Sequence, residues 1–249
     1  MEPLILLVIG GTFLLAGMVK GVIGLGLPTV SLALLTVALD LPQAMALLLV
    51  PSFVTNLWQA LAGGQAREIA HRLWPFMVMA TVTVWLGATA LTRVDLNLLS
   101  ALLGALLVTY SVISLAGVRF SLSRSQEVWL GPVIGSANGV LTGMTGSFVV
   151  PGVLFLQAIG LPRDSLIQAM GMLFTVSTVA LAFALQSNRF LSVELAAVSS
   201  AALIPALLGM VLGQRIRTRL SEAAFRRVFF IALLLLGGYI IAGTLGSYG

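Results

Sequence analysis

Long apolar runs, separated by short polar or glycine-rich stretches, make up most of the chain. Divided at charged residues, glycine and proline, the sequence contains ten apolar segments. Six of them reach the roughly 20 residues that a membrane-spanning helix needs, which predicts a polytopic membrane protein. The segments are 4–20, 28–39, 43–62, 73–92, 96–117, 128–142, 148–160, 164–187, 192–214 and 222–246.

The four shorter segments form two pairs, each around a glycine-rich break. The breaks lie at residues 20–29 and 142–151. A helix of about 12–15 residues reaches only about 18–23 Å, less than the ~30 Å hydrocarbon core of a bilayer. We therefore predict that each pair forms a hairpin that enters and leaves the membrane on one side.

Landmark residues recur along the chain at a nearly constant spacing, which indicates a duplicated unit. Three glycines around the first break match three around the second, each 122 positions later. We predict a first membrane repeat over 1–118, a cytoplasmic linker over 119–127 and a second repeat over 128–249. The matches are Gly17 with Gly139, Gly21 with Gly143, Gly24 with Gly146, Pro28 with Pro151, Leu41-Pro42 with Leu161-Pro162, Gly87 with Gly213, and Tyr110 with Tyr239.

The composition supports a helical membrane protein. Of the 249 residues, 59% are hydrophobic and only 8% are charged, whereas soluble domains carry roughly 25% charged residues. The apolar runs are continuous, unlike barrel strands, which alternate over about ten residues. The predicted fold class is all-α, with two inverted repeats, each a broken-helix hairpin followed by three transmembrane helices.

The arginines predict how these segments cross the membrane. If each short pair is a hairpin, ten arginines lie on one face and only Arg93 and Arg189 on the other. Positive residues collect on the cytoplasmic side, so both termini are predicted to be periplasmic and the second repeat inverted. Inverted repeats with broken helices are typical of secondary transporters, which bind substrate near the midplane. The ten are Arg67, Arg72, Arg119, Arg124, Arg163, Arg215, Arg217, Arg219, Arg226 and Arg227.

Several kinds of chemistry lack the residues that they need. The chain has no cysteine, and its one histidine, His71, lies in a polar loop. We therefore expect no metal or cofactor, and the absence of a catalytic dyad argues against an enzyme. The net charge of +5 is spread over short loops, which favours membrane orientation over nucleic-acid binding. All eight acidic residues lie at or near segment ends, so none is placed to carry a proton or sodium ion.

The first tip, defined as residues 20–29, combines a positive charge with a helix start. Its lysine, Lys20, is the only lysine in the chain. A helix beginning at about Gly26 would present free N–H groups and about half a positive charge to an anion. An alternative interpretation is that Lys20 snorkels to the interface and merely anchors the hairpin. The candidate substrate-binding residues here are Lys20, Gly21, Gly24, Gly26 and Thr29.

The second tip, defined as residues 142–151, repeats this plan with hydroxyl groups in place of the lysine. A helix is predicted to begin at about Ser147, and the glycines would let a ligand approach the backbone closely. Two helix starts that converge from opposite faces would form one anion site near the midplane. The candidates here are Thr142, Gly143, Thr145, Gly146, Ser147 and Phe148.

Other glycines and polar residues have structural explanations. Gly17, Gly139 and Gly209 fit small-residue contact patterns, so helix packing is the favoured interpretation for them. For polar residues on the longer helices, hydrogen bonds between helices are favoured, although Asn56 is kept as a binding candidate. These secondary candidates are Asn56, Gln59, Asn138, Gln168, Thr175 and Ser177.

Short motifs at the two tips carry a family resemblance. They are Gly21-Val-Ile-Gly-Leu-Gly-Leu-Pro28, Gly139-Val-Leu-Thr-Gly-Met-Thr-Gly146, Val149-Val150-Pro151 and, near the end, Gly237-Gly238-Tyr239. The sequence resembles the sulfite exporter (TauE/SafE) family of membrane permeases over nearly its whole length. The resemblance implies transport of sulfite or small organosulfonates across the bacterial inner membrane, commonly export. Ser147-Phe148 replaces the glycine cluster usual in that family, so Phe148 would narrow the site or contact an organic tail.

Together these observations predict a secondary transporter for a small sulfur-containing anion, such as sulfite, sulfoacetate or a taurine-derived sulfonate. Export by alternating access is expected, because the inside-negative potential drives anions outward. An anion channel, an importer of another small organic anion and a non-transporting membrane partner are the alternatives. The expected partners are the anionic substrate and the lipid bilayer, without nucleic acid, and a homodimer is left open.

Overall fold

The described part of the chain is helical. The computed structural model describes residues 2–217 and 221–246, so Arg219, one of the predicted cytoplasmic arginines, lies outside it. No strand occurs among the described residues, and the predicted all-α class is confirmed. The helices are α1 (Pro3–Ile23), α2 (Leu27–Ala38), α3 (Leu41–Leu61), α4 (Ala66–Val82), α5 (Val84–Ala88), α6 (Leu96–Leu115), α7 (Arg124–Thr145), α8 (Gly152–Ala158), α9 (Arg163–Ser187), α10 (Val193–Arg217) and α11 (Glu222–Gly246), with a 3-10 turn at Thr89–Thr92.

Seven helical stretches within these residues are long and apolar enough to cross a membrane. The sequence predicts six of them, and the seventh is α1. The prediction of a short first segment was wrong, because the helix continues through Lys20 and Gly21 to Ile23 and reaches 21 residues. Its partner α2 is short, with 12 residues. The other six stretches are α3, Ala66–Thr92, α6, α9, α10 and most of α11.

The helix before the second tip, α7, is also longer than predicted. It has 22 residues and begins at Arg124, whereas its apolar segment begins only at residue 128. A capping box sets this start. The Gln126 N–H donates to Ser123 Oγ (3.3 Å), and the Ser123 N–H donates to Gln126 Oε1 (2.9 Å). These bonds satisfy backbone N–H groups that a helix start leaves free, so the polar residues join the helix.

The chain divides into two compact units, and each unit takes segments from both halves of the sequence. The division falls within α3, after Pro51. The duplication over 1–118 and 128–249 stays a prediction. The first unit contains Met1–Pro51, Val94–Val118 and Ser192–Gly249, and the second contains Ser52–Arg93 and Arg119–Leu191.

Glycines hold the first unit together by letting helix backbones touch. A Cβ added at Gly17 would overlap the carbonyl oxygen of Ala206 on α10. In the reverse direction, a Cβ at Gly209 would overlap the carbonyl oxygen of Leu14 on α1. The packing interpretation of Gly17 and Gly209 is therefore confirmed, and any larger residue would push α1 and α10 apart.

The second unit uses the same device between α7 and the α4–α5 stretch. A Cβ at Gly139 would overlap Thr83 Oγ1, and one at Gly135 would overlap the carbonyl oxygen of Phe76. Thr83 also bridges the two helices, because its hydroxyl lies 2.9 Å from the carbonyl oxygen of Ser136. Packing is confirmed for Gly139 as well. The helix that ends at the second tip, α7, is therefore packed closely against the α4–α5 stretch.

Candidate functional site

Two glycines in the left-handed region form the turn of the first tip. Gly24 (φ 79°) ends α1, and its N–H donates to the carbonyl oxygen of Lys20 over 2.8 Å. Gly26 (φ 107°) precedes the first residue of α2, Leu27, which confirms the predicted helix start at this tip. L-residues with a side chain rarely adopt such φ values, so this turn requires glycine. The N–H groups of Leu27 and Thr29, which a helix start leaves without an intrahelical acceptor, therefore follow directly after the break, while Pro28 between them has none.

The charged and hydroxyl groups of the first tip are buried in the first unit. Lys20 lies in the last turn of α1 with only 5% of its surface exposed. Thr29, in the first turn of α2, is also buried. The structure therefore places the single lysine inside the protein, one helical turn before Gly24, where the turn begins. A buried amine within a membrane segment is energetically costly, which is typical of functional positions.

Two of the predicted tip glycines face neighbouring helices. A Cβ at Gly21 would overlap the carbonyl oxygen of Met210 on α10. A Cβ at Gly143 would overlap the carbonyl oxygen of Val84 on α5. At both positions, the space that a Cβ would fill is therefore occupied by the backbone of a neighbouring helix. The glycines at the breaks themselves, by contrast, form the turns.

Hydroxyl groups organise the second tip. Gly146 (φ 73°) ends α7, and its N–H donates to the carbonyl oxygen of Thr142 over 2.7 Å. Thr142 Oγ1 lies 2.9 Å from the carbonyl oxygen of Ser147, to which it donates. Thr145 Oγ1 donates to the carbonyl oxygen of Leu141 (2.7 Å) and accepts from the Ser147 N–H (3.2 Å). In this structure the protons of both threonine hydroxyls are therefore engaged within the tip.

The helix predicted to begin at Ser147 does not begin there, and that prediction was wrong. Residues 147–149 are irregular, and α8 begins only at Gly152, directly after Pro151, for seven residues. The first N–H of α8, that of Gly152, donates to Asn138 Oδ1 over 2.9 Å. Two features explain the late start: a side chain of α7 satisfies this N–H, and Pro151 is well suited to a position just outside a helix.

Two of the fully buried polar side chains of the second unit lie on α7 and α9. Asn138, on α7, and Ser177, on α9, each have 0% of their surface exposed. Asn138 Nδ2 and Ser177 Oγ have no hydrogen-bond partner among the described residues. Phe148 is buried too, and its ring centroid lies 5.7 Å from that of Phe174 on α9. The aromatic pair joins the second tip to α9, the helix that carries Ser177.

Other polar candidates serve the structure, as favoured from the sequence. Gln59 Nε2 donates to the carbonyl oxygen of Ile167 (2.8 Å), and Gln168 Nε2 donates to that of Ala60 (2.7 Å). These bonds confirm the interhelical role of Gln59 and Gln168. Asn56 is buried in the part of α3 that belongs to the second unit, and its part in substrate binding stays a prediction.

An ion cluster ties α4 to the first turn of α7. Arg72 lies 2.7 Å from Glu127 and Arg124 lies 2.8 Å from it, with 5% of the Glu127 side chain exposed. Burial raises the pKa of the Glu127 carboxyl, but hydrogen bonds and charge from Arg72 and then Arg124 outweigh it. The net effect is a pKa below the usual range.

Within the described ranges, no group of three or more His, Asp or Glu could hold a metal ion.

The hydrogen bond from Gly152 confirms the interhelical role favoured for Asn138, and the sequence also places this residue on a polar stripe of α7. Asn138, Thr142 and Thr145 follow the i, i+4, i+7 spacing of one helix face, and all three are buried. A polar stripe on a helix that enters a glycine break is unusual inside a membrane segment. That stripe leads directly to the tip.

Comparison with known proteins identifies the family. The sequence model of the sulfite exporter TauE/SafE family matches residues 9–240. Comparisons with curated proteins and with solved structures each found no match. The family implies a membrane transporter of sulfur-containing anions such as sulfite. Because the match covers most of the chain and includes both tips, the chain belongs to the sulfite exporter TauE/SafE family.

Proposed function

We propose that this protein is a secondary transporter that exports sulfite or a small organosulfonate across the bacterial inner membrane. The observation that carries the proposal is the burial of Lys20 beside the glycine turn of the first tip. A lysine that only anchored the hairpin would extend to the interface and stay exposed. A buried ammonium group next to a helix start, in a family of anion transporters, is suited to an anionic substrate.

The electrostatics favour export without a coupled cation. All acidic residues lie at or near the ends of the apolar segments. The membrane potential favours outward movement of an anion by about 2.3 kcal/mol per charge per 100 mV. Lys20 would hold the anion by its charge, and the N–H groups at the start of α2 would add hydrogen bonds.

Alternating access through two repeats is part of the proposal, and matched contacts support it. Gly17 and Gly21 lie one helical turn apart on α1 and meet the backbone of α10. Gly139 and Gly143 have the same spacing on α7 and meet α4 and α5. Equivalent landmarks thus make equivalent contacts in each unit, as a duplicated transporter would require. That both tips act on one substrate stays a prediction from the sequence.

The test is sulfite flux in proteoliposomes with Lys20→Met. Methionine keeps an unbranched apolar stem and removes the charge, so the helix is expected to form. Losing a charge-assisted hydrogen bond would lower flux at limiting sulfite by about 10- to 100-fold. Arg119→Met, at an exposed linker position, is the matched control and should transport like the wild type.

The same assay separates the alternatives. Saturable flux that follows the membrane potential supports a transporter, whereas non-saturating conductance would favour a channel. Wild-type flux in Lys20→Met, with unchanged thermal unfolding, would overturn the role given to the lysine. If the wild type moved neither sulfite nor any organosulfonate, the proposed function would be wrong.

A further inference from the structure

The second unit contains buried hydrogen-bond donors that the fold itself does not use. Asn138 and Ser177 are both fully buried, and Asn138 Nδ2 and Ser177 Oγ have no partner among the described residues. Buried polar groups in native proteins are nearly always hydrogen-bonded, so each exception needs an explanation. A bound ligand with acceptor atoms is one such explanation.

The orientation of the Asn138 amide is determined by the protein. Its Oδ1 accepts a hydrogen bond from the Gly152 N–H over 2.9 Å. A carbonyl oxygen can accept this bond and an NH₂ group cannot, so the assignment of oxygen and nitrogen is unambiguous. The two N–H bonds of Nδ2 are left free for another acceptor.

Ser177 differs from the other hydroxyl residues of α9. Thr175 and Thr178 donate to carbonyl oxygens one turn back, over 2.7 and 2.6 Å. Ser187 does the same at the end of the helix, and Ser165 donates to Gln65 Oε1. Ser177 is thus the one hydroxyl of this helix without a partner in the described structure. The hydroxyl could donate to a backbone carbonyl oxygen one helical turn earlier, as the neighbouring threonines do, but Ser177 does not form this bond.

Contacts at Gly152 and Phe148 relate these two donors, which lie on α7 and α9, to the second tip. A Cβ at Gly152 would lie 2.5 Å from Asn138 Oδ1 and 3.0 Å from Leu173 Cδ2. The Asn138 amide therefore approaches α9 at Leu173, one helical turn before Ser177 on the same face. Phe174, beside Leu173, packs against Phe148 of the tip.

We propose that Asn138 Nδ2 and Ser177 Oγ bind the oxygens of the transported oxyanion at the second tip. This inference rests on the proposed function and adds two residues to it. Sulfite and sulfonates carry three acceptor oxygens on one sulfur, so two separate donors can bind one group. Both donors are neutral, so they select by hydrogen-bond geometry and leave the net charge to other residues.

Ser177→Ala provides the sharper test, with binding of sulfite and of sulfoacetate to the purified protein measured by calorimetry. Losing one hydrogen bond should raise Kd by about 3- to 10-fold. The melting temperature without ligand should stay constant or rise, because a buried group without a partner is removed. Thr175→Val, which removes a hydroxyl engaged within its own helix, should leave Kd unchanged.

Asn138→Asp tests the amide. Aspartate keeps the acceptor for the Gly152 N–H and replaces the donor by an oxygen, so the α8 start is retained. At alkaline pH, where the carboxyl is ionised, repulsion and the lost hydrogen bond should raise Kd by about tenfold or more.

The outcomes separate this inference from the proposed function. If the wild type bound neither anion, the proposed function would fail. If it bound them and both variants bound equally well, the inference would be overturned. Lower melting temperatures with unchanged Kd would show that the two donors hold only structural water, and would overturn it as well.

Discussion

Glu127 is a buried carboxylate that ties the first turn of α7 to α4. Its two arginine partners differ in exposure, since Arg124 is 63% exposed and Arg72 only 28%. Arg72 therefore carries most of the interaction. Glu127→Gln should lower the free energy of unfolding by about 3 kcal/mol, because it leaves Arg72 without its counter-charge. Denaturant unfolding in detergent measures this, with Glu68→Gln, an exposed acid of α4, as a control expected to have little effect.

The same carboxylate predicts an acid limit of stability. Its pKa in the folded protein is lowered, so its contribution is present above the unfolded value of about 4.3. That contribution is lost as the pH falls below about 4, through the folded pKa. Melting temperatures across this range should fall more steeply in the wild type than in Glu127→Gln. Parallel curves would show that Glu127 does not carry the acid dependence.

Phe148 predicts a preference between substrates. Its ring is buried against Phe174 at the second tip. Phe148→Leu would enlarge the space there, so the affinity ratio of sulfoacetate to sulfite should rise by about tenfold. Competition binding measures the ratio. Phe155→Leu, which breaks the other aromatic pair of this unit, with Phe76, should leave it unchanged, and an equal change in both would argue against a substrate contact.

At the residue level, the sequence shows which polar side chains are present but not which of them form hydrogen bonds in the folded protein. Thr142 and Thr145 were predicted as donors to substrate, and the fold engages both hydroxyl protons at the tip. Ser177 has the same chemistry and remains available. The difference depends on side-chain orientation, which no spacing pattern encodes.

The helix contacts predict that alanine substitutions at two glycines of α1 have different effects on stability. Gly17 meets the backbone of α10, whereas a Cβ at Gly10 would have nothing within 4 Å. Gly17→Ala should destabilise the protein by about 1–3 kcal/mol through overpacking. Gly10→Ala should be neutral or stabilise it by up to about 1 kcal/mol, because alanine favours helix. Thermal unfolding of the two variants compares them, and equal effects would contradict the close contact.

Helix positions follow from hydrophobic runs, whereas their ends depend on local backbone chemistry. The break at Gly24 to Gly26 was predictable because glycine alone tolerates those φ values. The start of α8 was not, since it depends on Asn138, which lies 14 residues earlier. The length of α1 was underestimated because a buried lysine does not interrupt a helix when the protein surrounds it.

Orientation in the membrane is tested on the whole protein. The chain has no cysteine, so single substitutions give clean labelling sites. Ser121→Cys in the linker and Ser187→Cys near Arg189 are both at exposed positions. A membrane-impermeant maleimide should label Ser187→Cys in intact cells and Ser121→Cys only after permeabilisation. The opposite pattern would reverse the predicted periplasmic location of both termini.

The division of the chain into units could not be predicted from the sequence alone. The repeat spacing indicates two consecutive halves, yet each compact unit combines parts of both. Partner choice between helices depends on how small residues fit one another across the membrane. Many helices of this chain carry such residues, so composition alone does not single out α10 as the partner of α1.

That arrangement has a consequence for synthesis. Gly17 meets Ala206, which the ribosome adds roughly 190 residues later, on the order of 10 to 40 s at about 5–20 residues per second. During this interval α1 lies in the membrane before the helix that it packs against exists. Until α10 has entered the membrane, the face of α1 around Gly17 therefore lacks the partner that it contacts in the folded first unit.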